Sequence, residues 1–286
     1  MQHLKIFIEL TRLNKPIGFM LLFWPCSWGL AYAFTINPNT NLFFNYLFLF
    51  FLGSILMRSA GCIVNDIVDK DFDKKVRRTK SRPIASGKIS IIQSLIYVFV
   101  LCFVALTILL QFNILTIVLG MGSMILAFTY PFMKRITYWP QLFLGVTFNW
   151  GIIMAWTAMN NNISLEIVAL YIAAIFWTLG YDTIYGSQDV SDDEIIGLKS
   201  TAIKFKKNIK LFVFISYSIT ILLMSFIFLK NLGINFFTLF FLIFILSLLV
   251  QVFRFRKDNP KVSLNIFKFN NFSGLIFFLN ILTLNL

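Results

Sequence analysis

Residues 65–83, "NDIVDKDFDKKVRRTKSRP", carry four aspartates and seven Lys/Arg residues, and they follow directly on the apolar run "FLFFLGSILMRSAGCIV" of residues 48–64. Opposite charges packed against the end of a greasy segment mark a boundary between two solvents. Apolar stretches near twenty residues recur from Ile17 to the C-terminus. As helices each is long enough to cross a hydrocarbon core of roughly 30 Å. Of 286 residues, 58% are hydrophobic and 13% charged, with a mean hydropathy of +0.81. A soluble domain holds about 45–50% apolar and 25% charged residues. A soluble helical bundle would also need polar faces at period 3.6, which these segments lack. The chain therefore reads as an all-α polytopic membrane protein, a bundle of nine transmembrane helices in one integral membrane domain over residues 1–286. The spans expected are 17–36, 43–64, 90–110, 112–130, 140–158, 165–187, 209–229, 234–253 and 264–284. The third and fourth are joined by a tight turn at "QFN", residues 111–113.

Charge assigns the sides. Of the 25 Lys/Arg residues, all but Arg58 and Lys230 fall on the N-terminal tail, on every second loop or on the helix ends beside them. That asymmetry expects a cytoplasmic N-terminus. It also accounts for the net charge of +13 by attraction to anionic headgroups, so no nucleic-acid partner is expected. Cys26, Cys62 and Cys102 lack metal-ligand spacing and read as small buried hydrophobes. His3 is the single histidine, which argues against imidazole ligation or a histidine base. The first span is too long for the apolar core of a cleaved signal, and no obvious transit peptide precedes it. A bacterial inner membrane is the expected location.

Nine of the twelve acidic residues fall in two clusters. Asp66, Asp69, Asp71 and Asp73 follow the second span; Asp182, Asp189, Asp192, Asp193 and Glu194 end or follow the sixth. At about 100° per residue, Asn65, Asp66, Asp69 and Asp73 share an arc of roughly 100°, Asp71 points away, and Arg58 lies on the same side. Asp189 and Asp193 are four apart, and Gly186 sets the helix in question between them and Asp182. Carboxylates on one face repel unless cations intervene. A solvated charged loop paired with Lys70, Lys74 and Lys75 is one reading. The other is a hard divalent cation held by oxygen ligands alone, which suits Mg²⁺. Acid clusters repeated at two span ends favour the second. Arg77, Arg78, Lys80 and Arg82 after the first cluster, and Lys199 after the second, then supply a rim for phosphate oxygens. No G-x-x-x-x-G-K-[ST] loop is present, so a P-loop hydrolase is not supported. A diphosphate borne on a lipid is the ligand this chemistry suggests.

"NDIVDKDFDKKVRRTKSRPIASG" resembles the N-D-x-x-D-x-x-x-D element of the UbiA family of intramembrane aromatic prenyltransferases, and "YDTIYGSQDVSDDEIIGLKSTAI" resembles its D-x-x-x-D element. "LNKPIGFMLLFWPCSWGL" and "YPFMKRITYWPQLFLG" are similar to blocks of the 4-hydroxybenzoate branch, the last with Tyr130 and Lys134 in a Y-x-x-x-K pattern. The resemblance runs from about Leu10 to Ile203. It implies a cytoplasm-facing active site and Mg²⁺-dependent transfer of a polyprenyl group from polyprenyl diphosphate to the ring of 4-hydroxybenzoate, ortho to the hydroxyl, in ubiquinone biosynthesis. Other acceptors in the family, such as a naphthoate, haem or homogentisate, share the aspartate motifs. A cation-coupled transporter is a rival of another class, but its acids should lie near the midplane.

The resemblance assigns Asp69, Asp73, Asp189 and Asp193 as the main metal ligands, with Asn65 and Asp66 as further candidates. Arg78, Arg82, Lys134 and Lys199 are candidates for the diphosphate. Arg58 and Arg135 are candidates for the benzoate carboxylate, Arg58 above all, since an arginine inside a span needs an anionic partner. Asp182 or the released diphosphate would take the ring proton. Tyr130, Tyr181 and Tyr185 could orient a substrate or offer a π face to a cation.

Overall fold

The computed structural model describes residues 2–76 and 79–285. Its order is α1 (Gln2–Thr11), α2 (Ile17–Ile36), α3 (Thr40–Val68), α4 (Lys70–Asp73), α5 (Ile91–Leu109), α6 (Ile114–Ile136), α7 (Pro140–Asn160), α8 (Leu165–Gly186), α9 (Val190–Ile195), α10 (Thr201–Lys204), α11 (Ile209–Ile227), α12 (Phe236–Arg254) and α13 (Pro260–Leu282). Among the described residues, nine of these helices are long and apolar enough to cross a membrane, and they are the nine expected. The protein is an all-α multi-pass membrane protein.

The helix starts are written locally. Asn39, Ser90, Asn113, Ser164, Asn235 and Asn259 each accept a hydrogen bond from the backbone N–H three residues on, satisfying a donor the helix leaves open. Ser90 and Gln93 complete a reciprocal capping box. Asn113 closes the tight α5–α6 hairpin. α3 differs from its expected bounds: it has 29 residues, about 43 Å of helix at 1.5 Å per residue. That exceeds the hydrocarbon thickness, so its C-terminal turns carry Asn65 and Asp66 past the apolar slab. The helix then breaks at Asp69 (φ −90°, ψ 3°) before α4. On the sixth span α8 stops at Gly186, and α9 is a separate short helix that begins after Asp189.

The bundle is closed by α2, which packs on α3, α7 and α13, while α8 joins α7 to α11 and α12 joins α13. Glycines permit the closest crossings. A Cβ on Gly29 would lie 2.3 Å from the Ile152 carbonyl oxygen, and one on Gly274 would lie 2.4 Å from the Trp24 ring. Trp28, Trp177, Phe244 and Phe277 form a fully buried aromatic core, with Trp28 and Trp177 centroids 4.8 Å apart. Many of the polar groups buried among these spans are paired, as an apolar medium demands. Gln251 accepts from Tyr217 and Asn270 at 2.8 Å each, Trp177 donates to Asn270 at 2.9 Å, and Trp28 donates to the Gly274 carbonyl at 2.9 Å. Ile92, Ile125 and Phe226 are exposed and face the lipid, where isolated apolar side chains are at home. Cys26 and Cys62 are buried and Cys102 is half-buried, all free.

Candidate functional site

A cavity of about 1570 Å³ runs through the bundle. One end is polar. Asn65 and Asp66 reach it from the last turns of α3, Asp69 from the break, and Asp73 from α4; Asp182 reaches it from α8, and Asp189 and Asp193 from the start of α9. Arg58, Arg82, Lys134, Tyr130, Tyr181 and Tyr185 line it too. The other end is walled by Phe50, Leu106, Leu109, Phe112, Met124 and Met154. Both acidic clusters therefore open on one chamber, although 116 positions separate Asp73 from Asp189. The break at Asp69 does not scatter the first cluster, because α4 turns Asp73 back beside Asp66. Asp71, expected to point away, is exposed and bonds Lys74 at 3.1 Å. That lysine holds its carboxyl below the usual range through the hydrogen bond and its charge.

The cations interleave with these acids. Arg82 Nη1 donates to Asp66 Oδ1 at 3.0 Å and to Asp73 Oδ2 at 2.8 Å. Lys134 donates to Asp69 Oδ2. Arg135 lies 3.5 Å from Asp69 Oδ1, donates to the Val68 carbonyl at 2.6 Å and stacks 4.9 Å from the Phe72 ring. Asp66 and Asp69 are each 1% exposed at the side chain, so these pairs compensate charges that burial would otherwise forbid. Burial raises the Asp73 carboxyl above its ordinary value; Asp66 and Asp69 push the same way and Arg82 opposes them. Arg58 lies over the Phe148 ring at 5.6 Å, and its buried Nε donates no hydrogen bond.

Two expected basic residues sit apart from the chamber wall. Arg135 is occupied by α3 and Phe72, as above. Lys199 donates its Nζ to the Ile136 carbonyl at 3.1 Å and its backbone N–H to the Lys134 carbonyl at 2.8 Å. It pins the 187–200 loop to the end of α6. Arg78 lies outside the described residues. One residue escaped the sequence reading: Arg12 lines the cavity and its Nη2 lies 2.6 Å from Asp66 Oδ1. Its signal was faint, a single arginine in a basic tail, one residue before the block that begins at Leu13.

The donor set suits a hard divalent cation: carboxylates and one amide, with no sulfur or imidazole. Asp66 Oδ2 is a buried oxygen that accepts no hydrogen bond, which is what a ligand-facing lone pair leaves behind; Asp69 Oδ1 accepts none either, but it faces Arg135 at 3.5 Å. Among the described residues no three His, Cys, Asp or Glu side chains converge as a closed metal cage. An ion held here would complete its shell with water and phosphate oxygens, as magnesium does.

Comparison with known proteins agrees with this geometry. Residues 22–281 match the model of the UbiA prenyltransferase family. The chain is 48% identical over 208 residues to the mitochondrial 4-hydroxybenzoate polyprenyltransferase of Arabidopsis thaliana, covering 72% of this chain and 51% of that protein. It is 49% identical over 208 residues to the protein of the same description from Homo sapiens, covering 72% and 56%. It thus spans about half the length of these relatives. Among solved structures, the apo form of a UbiA homolog from Aeropyrum pernix superposes with a TM-score of 0.77 at 22% identity, over 93% of this chain and 98% of that one. A UbiA homolog from Archaeoglobus fulgidus bound to GPP and Mg²⁺ superposes with a TM-score of 0.72 at 17% identity, over 98% and 99%. At those identities the structures speak for the fold.

Proposed function

The chain belongs to the UbiA prenyltransferase family, and from that premise we propose that it transfers a polyprenyl group from polyprenyl diphosphate to the ring of 4-hydroxybenzoate, ortho to the hydroxyl, in ubiquinone biosynthesis. One observation carries the reading: carboxylates from two distant helix ends open on a single chamber whose far wall is apolar. That is the shape needed by a substrate with a diphosphate head and a hydrocarbon tail. The names of the relatives, and the diphosphate and magnesium bound by the archaeal homolog, support the same choice of substrates and cofactor.

Asp69, Asp73, Asp189 and Asp193 would hold Mg²⁺, with Asn65 and Asp66 beside them. Bound there, the ion would draw charge from the departing diphosphate. Arg82 and Lys134 already lie among these acids and have donors to spare for phosphate oxygens; Arg78 is a further candidate on the strength of its motif alone. Loss of diphosphate leaves an allylic cation, which water would quench. The apolar wall excludes water, and Tyr130, Tyr181 and Tyr185 line the chamber beside it. Arg58, which lines the chamber where Arg135 does not, would hold the benzoate carboxylate and so present the ring carbon beside the hydroxyl. After C–C bond formation the ring proton passes to Asp182 or to the released diphosphate. We also assign the chain, as one domain over residues 1–286, to a bacterial inner membrane with the N-terminus and the acidic chamber facing the cytoplasm, on the one-sided placement of lysine and arginine.

The test is prenylation of labelled 4-hydroxybenzoate by membranes supplied with polyprenyl diphosphate, with and without EDTA. Product should form only with the metal present. Asp69→Ala and Asp189→Ala should each abolish it while the protein still inserts. Turnover that ignores EDTA, or that survives either substitution, refutes the reading.

A further inference from the structure

Arg12 ends α1 in the left-handed region, at φ 55°. The one other described non-glycine residue with positive φ is Asn161, whose side chain tolerates that region; arginine gains nothing from it. The conformation is held from both sides. The Lys15 N–H donates to the Arg12 carbonyl at 2.8 Å. Upstream, Ile6, Phe7 and Leu10 of α1 belong to a cluster with Ala60 and Ile63 of α3, and the Phe7 ring meets Tyr97 edge-on at 5.2 Å. Docking α1 therefore forces the turn, and the turn aims the guanidinium at Asp66. Strain that persists because its surroundings over-determine it is characteristic of functional sites.

The hydrogen bonding at Asp66 is lopsided. Arg12 Nη2 donates to Oδ1 at 2.6 Å and Arg82 Nη1 to the same oxygen at 3.0 Å, whereas Oδ2 is buried and accepts nothing. Arg82 also serves Asp73 at 2.8 Å, so it cannot fix Asp66 by itself. Two cations crowd one oxygen, and its twin is left free on a residue that lines the chamber.

We propose that Arg12 is a positioning residue: by holding Oδ1 of Asp66 it keeps Oδ2 available to a divalent cation, and it thereby makes the N-terminal helix α1 part of the metal site. This rests on reading the acidic chamber as a metal–diphosphate clamp, and adds to it a residue outside both aspartate motifs. An oriented partner behind a metal ligand typically changes metal affinity by about 10- to 100-fold when removed.

The test is direct binding of Mn²⁺ to the purified protein in detergent, followed by electron paramagnetic resonance without prenyl substrate. Arg12→Gln removes the charge. Arg12→Gly removes the charge and relaxes the backbone, so it guards against a variant that merely misfolds. Both should weaken Mn²⁺ by about 10- to 100-fold, with thermal unfolding of the glycine variant unchanged and partial rescue by Arg12→Lys. Binding as tight as wild type, or tighter, would make Arg12 a bystander or a competitor and overturn the proposal. So would weakening that goes with lost thermal stability in the glycine variant and no rescue by lysine. Wild-type protein that binds no Mn²⁺ would overturn the clamp itself; wild-type binding with unaltered variants would overturn only the role of Arg12.

Discussion

Replacing Gly29 by alanine tests the packing that holds the chamber wall in place. The added Cβ would lie 2.3 Å from the Ile152 carbonyl oxygen and 3.0 Å from its carbonyl carbon and Cα. All three atoms are backbone in the interior of α7, so no side-chain rotation relieves the contact. Real Cβ contacts begin near 3.0 Å, and α2 must therefore shift from α7 by about 0.7 Å at least. Overpacking of this kind costs about 1–3 kcal/mol, against a gain of up to about 1 kcal/mol from replacing a helical glycine. Gly53→Ala supplies that gain without the clash, since nothing lies within 4 Å of its Cβ. Gly120→Ala meets only the flexible ends of Leu109 and Met154 and should fall between the two. The assay is unfolding in mixed micelles as a function of SDS. Gly29→Ala should unfold about 1–3 kcal/mol more easily than Gly53→Ala. Prenyl transfer should fall with it, because α7 lends Phe148, Trp150 and Gly151 to the chamber. Equal midpoints for these two variants would refute the claim that backbone contact sets the α2–α7 spacing.

Arg58→Ala should raise the acceptor KM for 4-hydroxybenzoate far more than for a phenol lacking the carboxylate, leaving the diphosphate KM little changed; an unchanged ratio of the two acceptors would remove Arg58 from the substrate site. For Asp73, burial raises the folded pKa, so protonation favours the fold. The stability this contributes is complete below the unfolded value of about 3.9 and is lost as pH rises through the folded value. In metal-free protein, Asp73→Asn should therefore unfold at a higher temperature than wild type at neutral pH, with the gap closing on acidification. A gap that does not change with pH would contradict this.

Much of the architecture was legible because a bilayer imposes strong rules on sequence. Each span must be apolar over its whole length, so all nine show in the hydropathy, and "QFN" with its asparagine cap marks the shortest connection. The spans were drawn too short where polar residues extend a helix beyond the slab. α3 keeps its hydrogen bonds through Asn65 and Asp66 to Val68 because water, or a ligand, can solvate its polar face there. α1 went unseen, since ten residues with mixed polarity fold as a helix only when α3 offers a surface. Of the proposed site residues, the aspartates were readable from their clustering. The cations were harder to sort, because one basic side chain suits many anions. Lys199 was grouped with the phosphate rim, and the fold instead engages it with the end of α6.

By itself the sequence determined how many times the chain enters the apolar phase, where its cations concentrate and which residues bear oxygen ligands, because each of these depends on the solvent a segment meets. The tertiary structure alone decided which acid meets which cation. Arg12 is 54 residues from Asp66 and Lys134 is 65 from Asp69, and no periodicity within one helix records a partner on another. Those pairings follow from how α1, α3, α4 and α6 converge, which is fixed by the fit of glycines and buried aromatic rings at the crossings.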